Sequence, residues 1–148
     1  MHLQRIGLLV APAVALAIGV WAEVAYLTPP VLFAVSVPAI IVSAFSLTYL
    51  ARQVAQPLAL ALAGTVMGVV TFGLAEGTHV ALALVRGSEL EFGDYHSRAA
   101  IAAGLIGVHL AAGVMVGAGV GVGLAVLYSA TAFVVRRVNP QALRPTRP

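Results

Sequence analysis

The sequence predicts an all-α, polytopic integral membrane protein with four transmembrane helices in an antiparallel bundle. Hydrophobic residues make up 61% of the 148-residue chain and charged residues only 9%, whereas a soluble domain has about a quarter charged residues. The mean hydropathy is +1.02. Four apolar runs each exceed the roughly 20 residues that cross a bilayer core as a helix. These observations leave no room for a soluble domain.

The four apolar runs define the predicted elements. Pro12 and Pro38 fall inside predicted helices, and we expect local kinks at both. The organisation is therefore a four-helix membrane domain over 1–135, followed by an Arg/Pro-rich cytoplasmic tail over 136–148. The predicted helices cover about residues 5–28, 31–51, 57–86 and 99–136.

Two runs have a second interpretation. Residues 1–22 have the charged start and apolar stretch of a signal peptide, with Val20-Trp21-Ala22 as a cleavage site, although we favour an uncleaved helix. The fourth run could fold back at its glycine-rich segment 117–123 and make two short spans. That path would place Arg136 and Arg137 outside, against the charge rule below, so we favour one long helix.

Loop charges predict the orientation. Short connections make successive helices antiparallel neighbours, so the loops alternate between the two membrane sides. The loop between the third and fourth helices holds Arg86 and Arg98 with three acidic residues. The positive-inside rule therefore predicts a protein of the plasma or inner membrane with both termini in the cytoplasm. The arginines on the cytoplasmic side are Arg5, Arg52, Arg136, Arg137, Arg144 and Arg147.

Composition also excludes several functions. The chain has no cysteine, which excludes disulfides, thiolate metal sites and cysteine nucleophiles. All eight basic residues are arginine, which is typical of a GC-rich prokaryotic genome. They flank helices, so we expect no nucleic-acid partner despite the pI of about 10.0. Anionic lipid is the expected partner of four of them, namely Arg136, Arg137, Arg144 and Arg147.

The candidate site consists of polar residues inside apolar runs. Only five residues of the chain are acidic, yet Glu23 and Glu76 lie within predicted helices, where a charge costs at least a few kcal/mol. His79 follows Glu76 at i, i+3 on the same face, and Tyr26 shares a face with Glu23. With His109 from the fourth helix, these residues predict a polar pocket or proton relay between the helices.

Counting the rise per residue predicts where this set lies. At 1.5 Å per residue, Glu23 and Glu76 are about 26–28 Å from the inner ends of their helices, near the outer edge of the hydrocarbon. His109, counted back from Arg136, is about 40 Å up, at the level of the headgroups. The set is therefore expected near the outer surface of the membrane. An alternating-access transporter usually has its site at the midplane instead.

The chemistry of the set stays open. Glu76, His79 and His109 include metal-ligand types, and His79 with His109 could ligate haem, although no cofactor is the leading expectation. The simpler alternative is that Glu76 and His79 satisfy one another and that Glu23 reaches the outer interface. The polar segment 86–98 is either a solvated loop or a cation site formed by its acidic residues and His96.

Glycines form the second pattern. In the predicted third helix, Gly64/Gly68 and Gly73/Gly77 are small-xxx-small pairs, which we assign to packing within the chain. In the fourth, the ladder has three members, and it fits either internal packing or contact with another subunit. The ladder consists of Gly113, Gly117 and Gly121, with Gly119 and Gly123 as a second register.

Three functional hypotheses follow, and the first is favoured. It is a non-catalytic membrane subunit or accessory protein, homo-oligomeric or bound to another membrane subunit through glycine-rich faces, with an outward-facing polar pocket. The second is a small proton- or cation-coupled transporter that uses Glu23 and Glu76. The third is a haem- or metal-binding redox protein. No motif in the sequence indicates an enzyme.

Overall fold

The structure, a computed structural model, describes residues 2–24, 29–53, 56–87 and 97–138. In these ranges all regular structure is helical. The helices are long and apolar enough to span a membrane, with a mean hydropathy of 2.0 to 2.2 in the candidate spans. The prediction of an all-helical chain with four membrane-length helices is confirmed. The elements are α1 (His2–Val24), α2 (Pro29–Leu50), α3 (Pro57–Arg86) and α4 (Arg98–Val138).

The helix bounds lie close to the expected ones. α1 begins three residues before its predicted start, and residues 25–28, which the prediction included, are outside the described ranges. α4 runs without interruption through 117–123 to Val138 and does not fold back. At 41 residues it is about 62 Å long. The polar loop 88–96 and the tail 139–148 are also outside the described residues.

Local sequence explains both ends of α3. Pro57 occupies the first helical turn, where its missing N–H has no partner to lose, and it follows an extended Gln56. Gly87 ends the helix in the left-handed region at φ 71, and its N–H faces the carbonyls of Ala83 and Leu84. A side chain at that φ would be strained, so glycine suits this cap.

The apolar core lies where α1, α2 and α3 meet. α3 is the most enclosed helix and α4 the least. Small residues dominate the core, which lets the helices approach closely. The buried cluster consists of Ala11 from α1, Ala39, Ile40 and Ala44 from α2, and Ala63, Met67 and Phe72 from α3.

Glycines set the contact between α3 and α4. Gly64 lies against the backbone of Gly121, and Gly68 lies against Gly113 and Gly117. A Cβ at either α3 position would collide with α4 backbone. The predicted α4 ladder therefore packs on α3 of its own chain.

The other glycines of the pattern have different surroundings. Gly73 meets only the side chain of Leu110. Cβ atoms built at Gly77, Gly119 and Gly123 would find no atom within 4 Å. The second register of α4 is therefore left uncovered by the described chain.

Ser43 of α2 hydrogen-bonds to the backbone of α1 beside Pro12. Its Oγ accepts a hydrogen bond from the N–H of Ala11 at 2.9 Å and donates one to the carbonyl of Gly7 at 3.0 Å. These two groups would bond each other in a regular helix, so the hydroxyl is inserted into the ladder one residue before the proline. A neighbouring helix thus satisfies backbone groups that lipid cannot.

Replacing Ser43 by alanine should lower the free energy of unfolding by about 1–3 kcal/mol, because two buried backbone groups lose their partner. Ser36 provides a matched control. It lies seven residues earlier on α2 and is equally buried, and its Oγ has no hydrogen-bond partner among the described residues. Ser36→Ala should be neutral or stabilising, because it removes a buried hydroxyl that has no hydrogen-bond partner. Reversible unfolding in mixed detergent–SDS micelles measures both, and equal losses would contradict the insertion.

Candidate functional site

Four titratable side chains from three helices form a connected cluster. Glu23 lies near the end of α1, Glu76 and His79 in α3, and His109 in α4. His79 Nε2 is 3.5 Å from Glu23 Oε2, and His79 Nδ1 is 3.4 Å from Glu76 Oε1. His109 Nε2 is 3.5 Å from Glu76 Oε2. The order Glu23–His79–Glu76–His109 alternates carboxylate and imidazole, and we refer to it as the Glu–His cluster.

Small residues bring these helices together. Gly19 places the α1 backbone against the Ala75 carbonyl and Thr78 of α3. Glu23 and His79 each follow those contacts by one helical turn on the same face, so they meet across the interface. On the other side of α3, the glycine contacts with α4 continue towards Glu76 and bring His109 beside it.

The hydrogen-bond partners of the two histidines indicate where hydrogen atoms are needed in the cluster. His109 Nδ1 lies 2.9 Å from the carbonyl oxygen of Leu105, which can only accept, so this nitrogen carries the hydrogen. The Nε2 atom of a neutral His109 then presents a lone pair to Glu76. His79 faces a carboxylate through each nitrogen, and a neutral imidazole has one N–H.

Take as the starting form the one with both carboxylates ionised and both imidazoles neutral. In that form, one contact of His79 and the contact of His109 each lack a proton between the two atoms. All three contacts are therefore attractive only when two protons are added. With those two protons the net charge of the Glu–His cluster is zero, and without them it is −2 by the formal charges of its groups.

The carboxylates are enclosed, whereas the imidazoles are accessible. The side chains of Glu23 and Glu76 are 6% and 9% exposed, and those of His79 and His109 are 27% and 32% exposed. Glu76 Oε1 has no hydrogen-bond partner, because its approach to His79 lacks the required geometry. A buried carboxylate oxygen in this state costs free energy, which a bound donor or cation would recover.

A cavity of about 260 Å³ adjoins the cluster. Residues of all four helices line it, and most are apolar. This volume is just below the roughly 300–1,000 Å³ of sites for drug-sized ligands. The cavity therefore suits a compact ligand with an apolar body. Its lining comprises Ile18, Ala22, Leu32, Phe72, Ala75, Leu105, Glu76, His79 and His109.

The side chains of the Glu–His cluster are directed at one another rather than at a common point. Among the described residues, no three histidine or acidic side chains converge where a metal ion could sit. Both ring nitrogens of His79 are directed at carboxylates, and those of His109 at Glu76 and the Leu105 carbonyl. Neither ring presents a nitrogen to an iron atom in this geometry.

Of the five residues predicted for the pocket, the structure brings four together. Tyr26 lies outside the described residues. Ile18 and Leu32 in the cavity wall were not predicted from the sequence, since their position depends on the register between helices. The Leu105 carbonyl was also missed, although a histidine inside a helix always has the i−4 carbonyl within reach.

The fold and the cluster define the class of the molecule: a small all-helical protein with four helices long and apolar enough to span a membrane, and a cluster of titratable side chains whose carboxylates are buried. Comparison with known proteins adds no family, since no family model, no curated protein and no solved structure matches the chain.

Proposed function

We propose that this chain is a non-catalytic membrane subunit or accessory protein that holds a proton-exchanging ligand pocket. The single observation that carries the proposal is the Glu–His cluster beside a cavity of about 260 Å³. The remainder of the α3–α4 contact is closed by glycine backbone packing. The pocket is therefore proposed to serve ligands from one membrane side.

The proposed topology is an antiparallel bundle with both termini in the cytoplasm. Contact pairs support it, since Gly64 meets Gly121 whereas Gly68 meets Gly113, so numbers rise on α3 as they fall on α4. The excess of arginine on the side of the termini supports the orientation. In this topology the pocket opens towards the outer face of a prokaryotic inner or plasma membrane.

The proposed partner, a second copy or another membrane subunit, docks on the uncovered face of α4. Gly119 and Gly123 lie on this face with Met115 and Val122, which are 76% and 53% exposed. Small residues flanked by larger apolar ones favour helix association in lipid. Lipid covers the face when the partner is absent.

Affinity purification from native membranes in polymer nanodiscs, with mass spectrometry of the captured proteins, tests the subunit role. The wild type should retain a stoichiometric membrane partner or a second copy. Gly119→Ile should lose it at unchanged monomer stability, because a Cβ at that position meets no atom of the described residues within 4 Å. A wild type that runs alone, or a variant that keeps its partner, contradicts the proposal.

A small proton- or cation-coupled transporter is the second candidate. The observation that favours it is the alternation of carboxylate and imidazole, which is typical of proton relays. Purified protein in liposomes with an internal pH dye should then show a proton flux driven by an imposed cation gradient. Glu76→Gln should abolish that flux, and a flux unchanged by the substitution would exclude the Glu–His cluster as its route.

A further inference from the structure

We infer that the cavity binds a compact organic ammonium ion in exchange for protons of the Glu–His cluster. This inference rests on the ligand pocket of the proposed function and names its ligand class. Three features of the cavity carry it: the buried carboxylate of Glu76, one oxygen of which has no hydrogen-bond partner, an aromatic and aliphatic wall, and two histidines beside that carboxylate that are cationic only when protonated.

The carboxylate provides the charge recognition. Glu76 is 7% exposed and lines the cavity, and its Oε1 atom has no hydrogen-bond partner. Among the described side chains, it is paired only with His79 and His109, which are cationic only when protonated. An ammonium ion in the cavity supplies a positive charge near the Glu76 carboxylate without a proton.

The wall provides the recognition of carbon. Phe72 lies one turn before Glu76 on α3, so its ring and the carboxylate border the same space. Aromatic faces attract ammonium groups, particularly those surrounded by methyl or methylene groups. Ile18, Leu32 and Leu105 complete an apolar lining that gives a hydrated metal ion no oxygen ligands.

The groups facing Glu76 determine what is released. Glu23 from α1, His79 from α3 and His109 from α4 face it directly or through one another. α2 contributes Leu32 to the cavity, and the titratable residue in its described part is Tyr49, about 26 Å further along the helix. Arg86 lies about 15 Å beyond Glu76 on α3. A monocation bound near Glu76 therefore competes with protons for the Glu–His cluster.

Isothermal titration calorimetry with benzyltrimethylammonium tests the inference. The purified protein in maltoside micelles is titrated at several pH values, each in two buffers of different ionisation enthalpy. We expect saturable binding with about one proton released per cation. The affinity should fall by up to about tenfold for each unit that the pH is lowered, as linkage requires for one exchanged proton.

Two variants and one neutral compound make the test specific. Glu76→Gln keeps the side-chain shape and should weaken binding at least tenfold and abolish proton release. Tyr49→Phe changes a residue about 26 Å from the cavity along α2 and should leave both unchanged. Neopentylbenzene, the uncharged analogue of the probe, should bind at least tenfold more weakly. Equal binding of the neutral analogue, equal loss in both variants, or no binding of the probe overturns the inference.

The source of the ammonium group is distinguished by repeating the titration in phosphatidylcholine nanodiscs. Binding in micelles that disappears in nanodiscs identifies a lipid choline headgroup as the occupant, and binding in both identifies a free amine.

The outcome of the titration is separable from that of the test of the subunit role. A protein that keeps its partner but binds no cation loses only this inference, and one that binds the cation but runs alone loses only the subunit role.

Discussion

Replacing Gly68 by alanine is expected to lower the free energy of unfolding by about 1–3 kcal/mol, although alanine is the better helix former. The added methyl group would collide with the Gly113 carbonyl and the Gly117 backbone, and backbone atoms cannot move aside as a flexible side chain can. α3 and α4 must then separate along their glycine contact. The larger Gly68→Ile should prevent that contact altogether.

Gly77 supplies the matched control on the same helix. No atom of the described residues lies within 4 Å of a Cβ at this position, so Gly77→Ala should be neutral or stabilising by up to about 1 kcal/mol through helix propensity. Unfolding in mixed detergent–SDS micelles compares the two directly. Similar stabilities for the two alanine variants would mean that the close approach of α3 and α4 is not needed.

Replacing His109 by leucine is expected to lower the free energy of unfolding by about 3–5 kcal/mol. Glu76 loses its contact at Oε2 and keeps His79 Nδ1 at 3.4 Å from Oε1, which has no hydrogen-bond partner, and breaking a buried pair by removing one member is strongly destabilising. Removing the carboxylate as well should restore much of the loss. The double variant Glu76→Met/His109→Leu is therefore expected to be more stable than His109→Leu alone.

A double-mutant cycle measures this coupling. The stabilities of the wild type, both single variants and the double variant should yield an interaction energy of about 1–3 kcal/mol between Glu76 and His109. His2 is the first residue of α1, at the end of that helix away from Glu23, so His2→Leu serves as the control for a general effect of histidine loss. Additive effects of Glu76→Met and His109→Leu would mean that the two side chains do not interact.

The helices could be predicted because each signal is local. An apolar run longer than about 20 residues, a proline at position 57 and a glycine at position 87 are features of one segment each. The Glu76–His79 pair is equally local, since three residues on a helix fix the neighbourhood. None of these predictions needs knowledge of which helices touch.

Contacts between helices could not be predicted in the same way, because they depend on the relative heights of two helices, which neither segment determines alone. The height of His109 illustrates the difficulty, because counting from Arg136 placed it about 12 Å above Glu76. In the structure Pro57, the start of α3, packs beside Ala125 and Ser129 of α4. Counted from those residues, His109 is about 24–30 Å along α4, and Glu76 is about 28 Å along α3. Arg136 was the wrong origin because α4 continues past α3.

The serine inserted beside Pro12 makes the order of synthesis matter for α1. Ala11 and Ser43 are 32 residues apart, and a ribosome adds about 5–20 residues per second. For about 2–6 s the Ala11 N–H and the Gly7 carbonyl therefore exist in the growing chain before the hydroxyl that will join them. The first helix is completed by an atom of the second, so the two helices should enter the membrane as one folding unit.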